Sequence, residues 1–340
     1  MTEVTLYVWP SPFLEPHSLA ALLLLQLSIP GHFSIEETAN PDTSPSGQLP
    51  YLRHGAVTVA SFAAIAKYIS RSKIAGHVDV DAHLDATQRA QCTAWSALVE
   101  AQLGDLVAYT FYAIADNYTN FTVPTLSAHM SIPQRYFVPG RLRELHRPRL
   151  EAVGLWDVSS FGGDGEGGDG DDEKGVRGVG VGGIAGGGVS GKGGGAKRKK
   201  NEGNMKMAFV REKVLETARR PLSLLSALLA DRPFIFHDRA TTLDILLAAH
   251  ILLLTSPTLS SLSSQTNPQN LTLPCTPIHA LISDSFPTLE AHARRVYDTC
   301  FPHGYAAAGL TKGKDEGRVG WNYDGEEGLS GDQDPSPPMA

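Results

Sequence analysis

The chain lacks any CxxC pair, and its three cysteines, Cys92, Cys275 and Cys300, are widely spaced and odd in number. A disulfide framework and a dithiol redox centre are therefore excluded, and reduced thiols facing the cytosol are expected. No two of the twelve histidines fall at metal-ligand spacing on one predicted helix, so no metal is expected. No Lys or Arg precedes Arg53, which argues against an Arg-rich targeting presequence, and no signal peptide is recognisable. The sequons at Asn117, Asn120 and Asn270 then read as chance matches. The longest apolar runs, Leu19–Leu27 and Ile245–Leu254, are about half of the ~20 residues that a spanning helix needs. The chain is therefore not expected to cross a bilayer by itself. A net charge of -7 makes nucleic acid an unsuitable primary partner.

What is present is ordered in two parts. The 340 residues, 42% hydrophobic, suffice for two domains of ordinary size. Val4–Trp9 reads as a buried strand, Pro16–Leu27 as a helix buried on both sides, and His32–Glu37 as a second strand. A polar loop, Ser46-Gly47-Gln48, runs into Leu49-Pro50. The hairpin strands Tyr51–Arg53 and Ala56–Ala60 follow, and Ser61 opens the helix Phe62–Arg71. Pro50 interrupts strand pairing and marks a bulge or a cis peptide beside a ligand groove. This βαβ–ββα order fits a thioredoxin-like domain over residues 1–75.

From about Asp85 the apolar period becomes 3.6, with Trp95, Leu98, Val99, Leu106, Thr110, Phe111 and Ile114 on one stripe. Further helices are expected over Pro133–Ala152 and Met205–Leu229, with a kink or restart at Pro221, and over 241–256 and 276–301. The fold class is therefore α+β, with an all-α second domain over 84–156 and 205–305.

Residues 157–204 interrupt that domain. Eighteen of the 34 glycines lie between Gly162 and Gly195, a composition from which no core can form. The segment begins acidic and ends in Lys197-Arg198-Lys199-Lys200, which reads as a solvated loop end. It and the tail 306–340 are expected to be disordered. Gly178 to Gly183 matches GxGxxG and Gly186 to Lys192 most of a P-loop, but no strand precedes either and no helix follows. Nucleotide binding, and cofactors generally, are not expected.

Thr241-Thr242-Leu243-Asp244 is a capping box: the Thr side chain caps the helix start while the acid reaches back to a free N–H. Loss of the Asp244 carboxylate from that cap is expected to cost ~1–2 kcal/mol. The same pattern, with the Leu49-Pro50 loop and the Ser61 helix, resembles glutathione transferase-like proteins. Phe286-Pro287-Thr288-Leu289 and Arg294-Arg295-Val296 resemble that fold's later helix. Leu6-Tyr7-Val8-Trp9, Asn40-Pro41-Asp42 and Ser44-Pro45-Ser46-Gly47-Gln48-Leu49-Pro50 resemble, more narrowly, the metaxin family. Within it they are most similar to the larger fungal-type subunit of the mitochondrial sorting and assembly machinery.

That resemblance implies a non-catalytic subunit, peripheral on the cytosolic face of the mitochondrial outer membrane. It implies work beside a BamA-like barrel subunit and a second metaxin-like subunit, on β-barrel precursors that must fold, insert and leave. It also implies contact with the general outer-membrane import translocase. Pro50, Ser61, Thr241 and Asp244 are then fold signatures, and Ser11, Leu49, Pro50 and Ser61 mark a vestigial ligand groove.

A glutathione transferase is the alternative, and a soluble adaptor of the same fold in another cytosolic complex is a third reading. The enzyme needs a hydroxyl or thiol donor just after strand 1 to stabilise a thiolate. It also needs an acid or amide before the Ser that opens the later helix. Ser11, between Pro10 and Pro12, is a turn former. Ala60 fills the second place, and Ser61 reads as an N-cap. Arg53, on the hairpin, is the nearby cation.

Overall fold

The computed structural model describes residues 3–156, 194–255 and 273–302, less residues 10–14, 39, 73, 75, 129 and 237, and without the side chains of residues 194–210. The expectations for 157–193, including the glycine fingerprints, and for the tail 306–340 lie outside the described residues.

Four strands build one mixed sheet. β1 (Val4–Val8) pairs parallel with β2 (Phe33–Glu37) and antiparallel with β3 (Tyr51–His54), which pairs antiparallel with β4 (Val57–Ala60). The order is β2-β1-β3-β4. All five residues of β1 are buried, as its β-branched and aromatic composition requires of a central strand. Leu6 lies opposite Ile35 on one side and Leu52 on the other, and all three are sealed from solvent.

Helix α1 (Pro16–Ser28) starts at a proline, whose missing N–H costs nothing in the first turn. It is apolar around most of its surface because it packs both on β1 and on a central helix of the second part. Helix α2 (Phe62–Ser70) follows the hairpin and packs on α1.

The helical part begins at Asp85, whose carboxylate accepts from the N–H of Gln88 (2.7 Å), while the Gln88 side chain accepts from the N–H of Asp85 (3.0 Å). Helix α3 spans 86–113 and alternates ordinary turns with wider π turns at Val99–Leu103 and Tyr109–Ala113. Ile114 turns extended, and α4 covers 115–128. Buried Asn117 secures the break: its amide donates to the carbonyls of Thr110 (2.9 Å) and Cys275 (2.7 Å) and accepts from the Cys275 N–H (2.8 Å).

The remaining helices are α5 (Gln134–Ala152), α6 (Gly194–Leu229), α7 (Thr242–Thr255), α8 (Pro277–Ser285) and α9 (Pro287–Cys300). Three expectations change. Helix α6 starts at Gly194 rather than Met205, so residues 194–204, expected to be disordered with Lys197–Lys200 at a loop end, are helical; Ala, Lys, Arg and Glu between the glycines favour helix. It also continues through Pro221, so of the kink or restart expected there the restart does not occur. The single helix expected over 276–301 is two, because Pro287 cannot continue α8 and holds the residue before it out of the helical region.

Helix α7 is the axis of the second part. Every residue from Leu243 to Thr255 is buried, with α1 on one side and α9 on another. An end buried this deeply must satisfy its own free N–H groups. Asp244 does so. One carboxylate oxygen accepts from the Thr241 N–H (2.9 Å) and hydroxyl (2.7 Å). The other accepts from the Ile235 N–H (2.8 Å) and from Nε2 of His292 on α9 (2.9 Å). Asp244 and His292 are both fully buried. The acid is therefore more than a local cap: it joins α7, the loop before it and α9. Asp81 extends the tie to the linker, accepting from the Thr242 N–H (2.9 Å) and hydroxyl.

Removing a carboxylate that leaves several buried donors unpaired costs more than losing an exposed cap. Asp244→Ala is expected to destabilise the fold by ~3–5 kcal/mol in denaturant unfolding, above the ~1–2 kcal/mol of a cap alone. A loss within the cap range would mean that the bonds to Ile235 and His292 contribute little.

Candidate functional site

The loop that leads to Pro50 is held by its own short side chains. The Asn40 side chain accepts from the Asp42 N–H (3.1 Å), the Ser44 and Ser46 hydroxyls pair at 3.1 Å, and Gly47 takes the left-handed conformation (φ +67°) that its turn requires. The Leu49-Pro50 peptide is cis. The Pro50 carbonyl accepts from the Ser61 N–H (3.2 Å), so the two residues meet where β3 and β4 open. Pro50 and Ser61 thus meet at the open end of the β3–β4 hairpin, with Leu49 next to them in the chain. Ser11 lies outside the described residues.

The chemistry left at this end is limited. The Ser61 hydroxyl accepts from the Ala64 N–H (3.4 Å) and so caps α2, from a backbone whose φ of +76° is uncommon for a residue other than glycine. Ala60, half-buried, brings no polar side-chain group to this position. Arg53 is exposed on the hairpin, its guanidinium 5.5 Å from the centre of the Tyr7 ring, which stacks on Tyr51 at 4.3 Å.

A second group, which sequence reasoning missed, sits at the head of α1. Glu15 caps the helix, accepting from the Ser18 N–H (3.1 Å), and pairs with Nδ1 of His17. His17 Nε2 lies 3.8 Å from the Glu100 carboxylate on α3, and the ring meets His250 of α7 edge-on at 5.8 Å. His250 donates from Nδ1 to the Leu246 carbonyl (2.8 Å), and its buried Nε2 has no hydrogen-bond partner among the described residues. His17 and Glu15 are two residues apart, but Glu100 and His250 are distant in sequence, so no local pattern announces the cluster.

The charges there set opposite titrations. The Glu15 carboxylate, and more weakly Glu100, push the His17 pKa up to about 9 against the effect of burial. Burial works to raise the pKa of Glu15, but the charge and hydrogen bonds of His17 outweigh it and hold the carboxyl below its usual range. Burial, reinforced by the charge of His17, pushes His250 down to about 4. Burial likewise lowers His146, which stacks on Tyr112 at 4.6 Å. Near neutral pH His17 is thus charged, paired with Glu15 at the head of α1 and, more loosely, with Glu100 on α3.

A cavity of about 460 Å³ opens between α2 and the first turns of α3, floored by Leu24, Ile69, Leu84 and Leu246, with Lys67 and Arg89 on its wall. Cys92 also lines it, but burial and the charge of Asp81 push that thiol up to about 11, far from a nucleophile at neutral pH. Cys300, raised by burial to about 12, is equally inert.

Comparison with known proteins gives the following. The family described as "Outer mitochondrial membrane transport complex protein" (Tom37) matches residues 18–143. Metaxin-1 of Mus musculus is 26% identical over 256 residues, 74% of this chain and 64% of its own length. Metaxin-1 of Homo sapiens is 25% identical over 281 residues, 82% and 49% of the two chains. Metaxin-3 of Danio rerio is 30% identical over 105 residues, 31% of this chain and 32% of its own. The match therefore spans less than two thirds of either metaxin-1. Among solved structures, glutathione S-transferase III in its apo form is 16% identical, covers 92% of this chain and 99% of its own, and has a TM-score of 0.47.

The two histidines make stability depend on pH from both sides. His17 is protonated in the fold up to about pH 9 but only to about 6.5 when unfolded, so its contribution is complete below about 6.5 and is lost as pH rises to 9. His250 resists protonation in the fold, so stability falls as pH drops from about 6.5 to 4. Denaturant unfolding from pH 4 to 9 is expected to give a maximum near pH 6–7, with His17→Ala flattening the alkaline limb and His250→Leu the acid limb. Limbs unchanged in both variants would remove these residues from the linkage.

Proposed function

We propose that the chain is a metaxin-family protein of glutathione transferase-like fold and a non-catalytic subunit of a mitochondrial outer-membrane transport complex, a reading supported by the family match and by its similarity to metaxin-1. The complex is the sorting and assembly machinery, and the chain sits peripherally on the cytosolic face. There it assists folding, insertion and release of β-barrel precursors, next to a BamA-like barrel subunit and a second metaxin-like subunit. The general import translocase is the remaining partner.

The observation that carries this reading is the family match over residues 18–143, which runs through the Leu49-Pro50 loop and both elements that the His17–Glu100 pair joins. The groove supports the non-catalytic role. The Ser61 hydroxyl and N–H are both engaged in holding the backbone, and Ala60 offers no polar group. Function on such a fold must come from surfaces rather than from an activated thiol. Among the described residues no helix is long and apolar enough to cross a membrane.

Two readouts test the proposal together. Cell fractionation is expected to place the full chain with the mitochondrial outer membrane, accessible to added protease. The purified chain is expected to show no thiol conjugation and no retention on immobilised glutathione. Recovery only in the soluble cytosol would overturn the assignment to the outer membrane. Conjugation that disappears in Ser11→Ala would overturn the non-catalytic role.

A further inference from the structure

The large hydrophobic side chains that stand exposed are not scattered. Of the eight among the described residues, five lie between 132 and 153: Ile132, Tyr136, Phe137, Leu145 and Val153. Tyr136 is 76% exposed and Ile132 68%. Three of them, Ile132, Tyr136 and Phe137, fall within six residues at the start of α5, and a local group of large exposed apolar side chains points to a contact site rather than ordinary surface. The same helix, α5, holds five arginines against two glutamates, an excess of positive charge in a chain of net -7.

The inner side of α5 is fixed. Val138, Pro139 and Leu150 are buried, and Arg149 pairs with the buried carboxylate of Asp105. Arg143 donates to the Tyr112 carbonyl (3.0 Å) and lies over the rings of Tyr118 (4.4 Å) and Trp156 (5.2 Å). The outer side is free of such anchors at its N-terminal end. Ile132, Tyr136 and Phe137 project there, Arg135 has no acidic partner among the described residues, and Arg141 makes an exposed pair with Asp42 at 3.1 Å. Exposed pairs of that kind hold little energy and yield readily to another anion.

We propose that this end of α5 docks on the surface of an anionic bilayer. Tyrosine, phenylalanine and isoleucine enter the boundary between headgroups and acyl chains, while Arg135 and Arg141 meet lipid phosphates. Charge complementarity selects this end of the helix: the chain as a whole is repelled by an anionic surface, while Arg135 has no acidic partner among the described residues and Arg141 makes only an exposed pair with Asp42. The preference for a bilayer over an acidic protein surface rests on the outer-membrane reading given above.

Vesicle flotation of the full-length protein tests it, with phosphatidylcholine vesicles and with phosphatidylcholine–phosphatidylserine vesicles. Binding is expected to the anionic vesicles alone and to weaken as salt rises. The pair Tyr136→Ser, Phe137→Ser, and separately Arg135→Glu, are each expected to lower the partition more than about tenfold. All three positions are exposed, and unchanged melting checks the fold. Failure to float with anionic vesicles, equal binding to neutral ones, or unaltered binding by both variants would overturn the proposal. A protein recovered with the outer-membrane complex that does not float defeats the lipid contact alone. If Tyr136→Ser, Phe137→Ser then reduces that recovery, the face belongs to a protein partner. Flotation without recovery in mitochondria defeats the assembly reading instead.

Discussion

The buried carboxylate of Asp244 is the interaction on which the second part of the molecule depends. Helix α7 is apolar on every side, so it gains most by being enclosed and loses most if its polar start is left unpaired. Asp244 resolves that conflict with four accepted hydrogen bonds, from Thr241, Ile235 and His292. Since α1 packs on α7, the sheet is positioned by the same helix. Thr242 and Asp81 fasten the linker to the same point.

The groove edge at Pro50 and Ser61 uses its hydrogen-bonding groups on itself. Polar chemistry is instead concentrated at the head of α1, where Glu15 and His17 reach Glu100 and approach His250. That cluster ties the sheet to the helices. It is built of acid–base groups, but its geometry is that of a bridge between elements. The outer helix α5 faces the other way, fixed by Arg143 and Arg149 inside and apolar and cationic outside. The polar interior thus serves cohesion, and the chemistry available to a partner lies on the surface.

How much of this was legible in the sequence depended on the range of each signal. The order of elements along residues 4–70 follows from local patterns: β-branched runs, the His54-Gly55 turn, and Ser61 before an apolar helix. Thr241 and Asp244 could be read as a cap because they are three residues apart, but His292 is 48 residues further and could not be joined to them. The cluster at Glu15 was hidden for the same reason. The division between α8 and α9 was visible in Phe286-Pro287, and the expectation of one helix gave the apolar period more weight than the proline. The arginines of α5 were equally visible as composition, but their meaning needed the exposure of Tyr136 and Phe137.

The central claim is that a glutathione transferase-like fold here serves assembly on the outer membrane. Affinity purification of the tagged full chain from mitochondria, followed by mass spectrometry, tests it most directly. The account predicts recovery of an outer-membrane barrel subunit together with a second metaxin-like chain. Recovery of a cytosolic complex with no outer-membrane protein would contradict it.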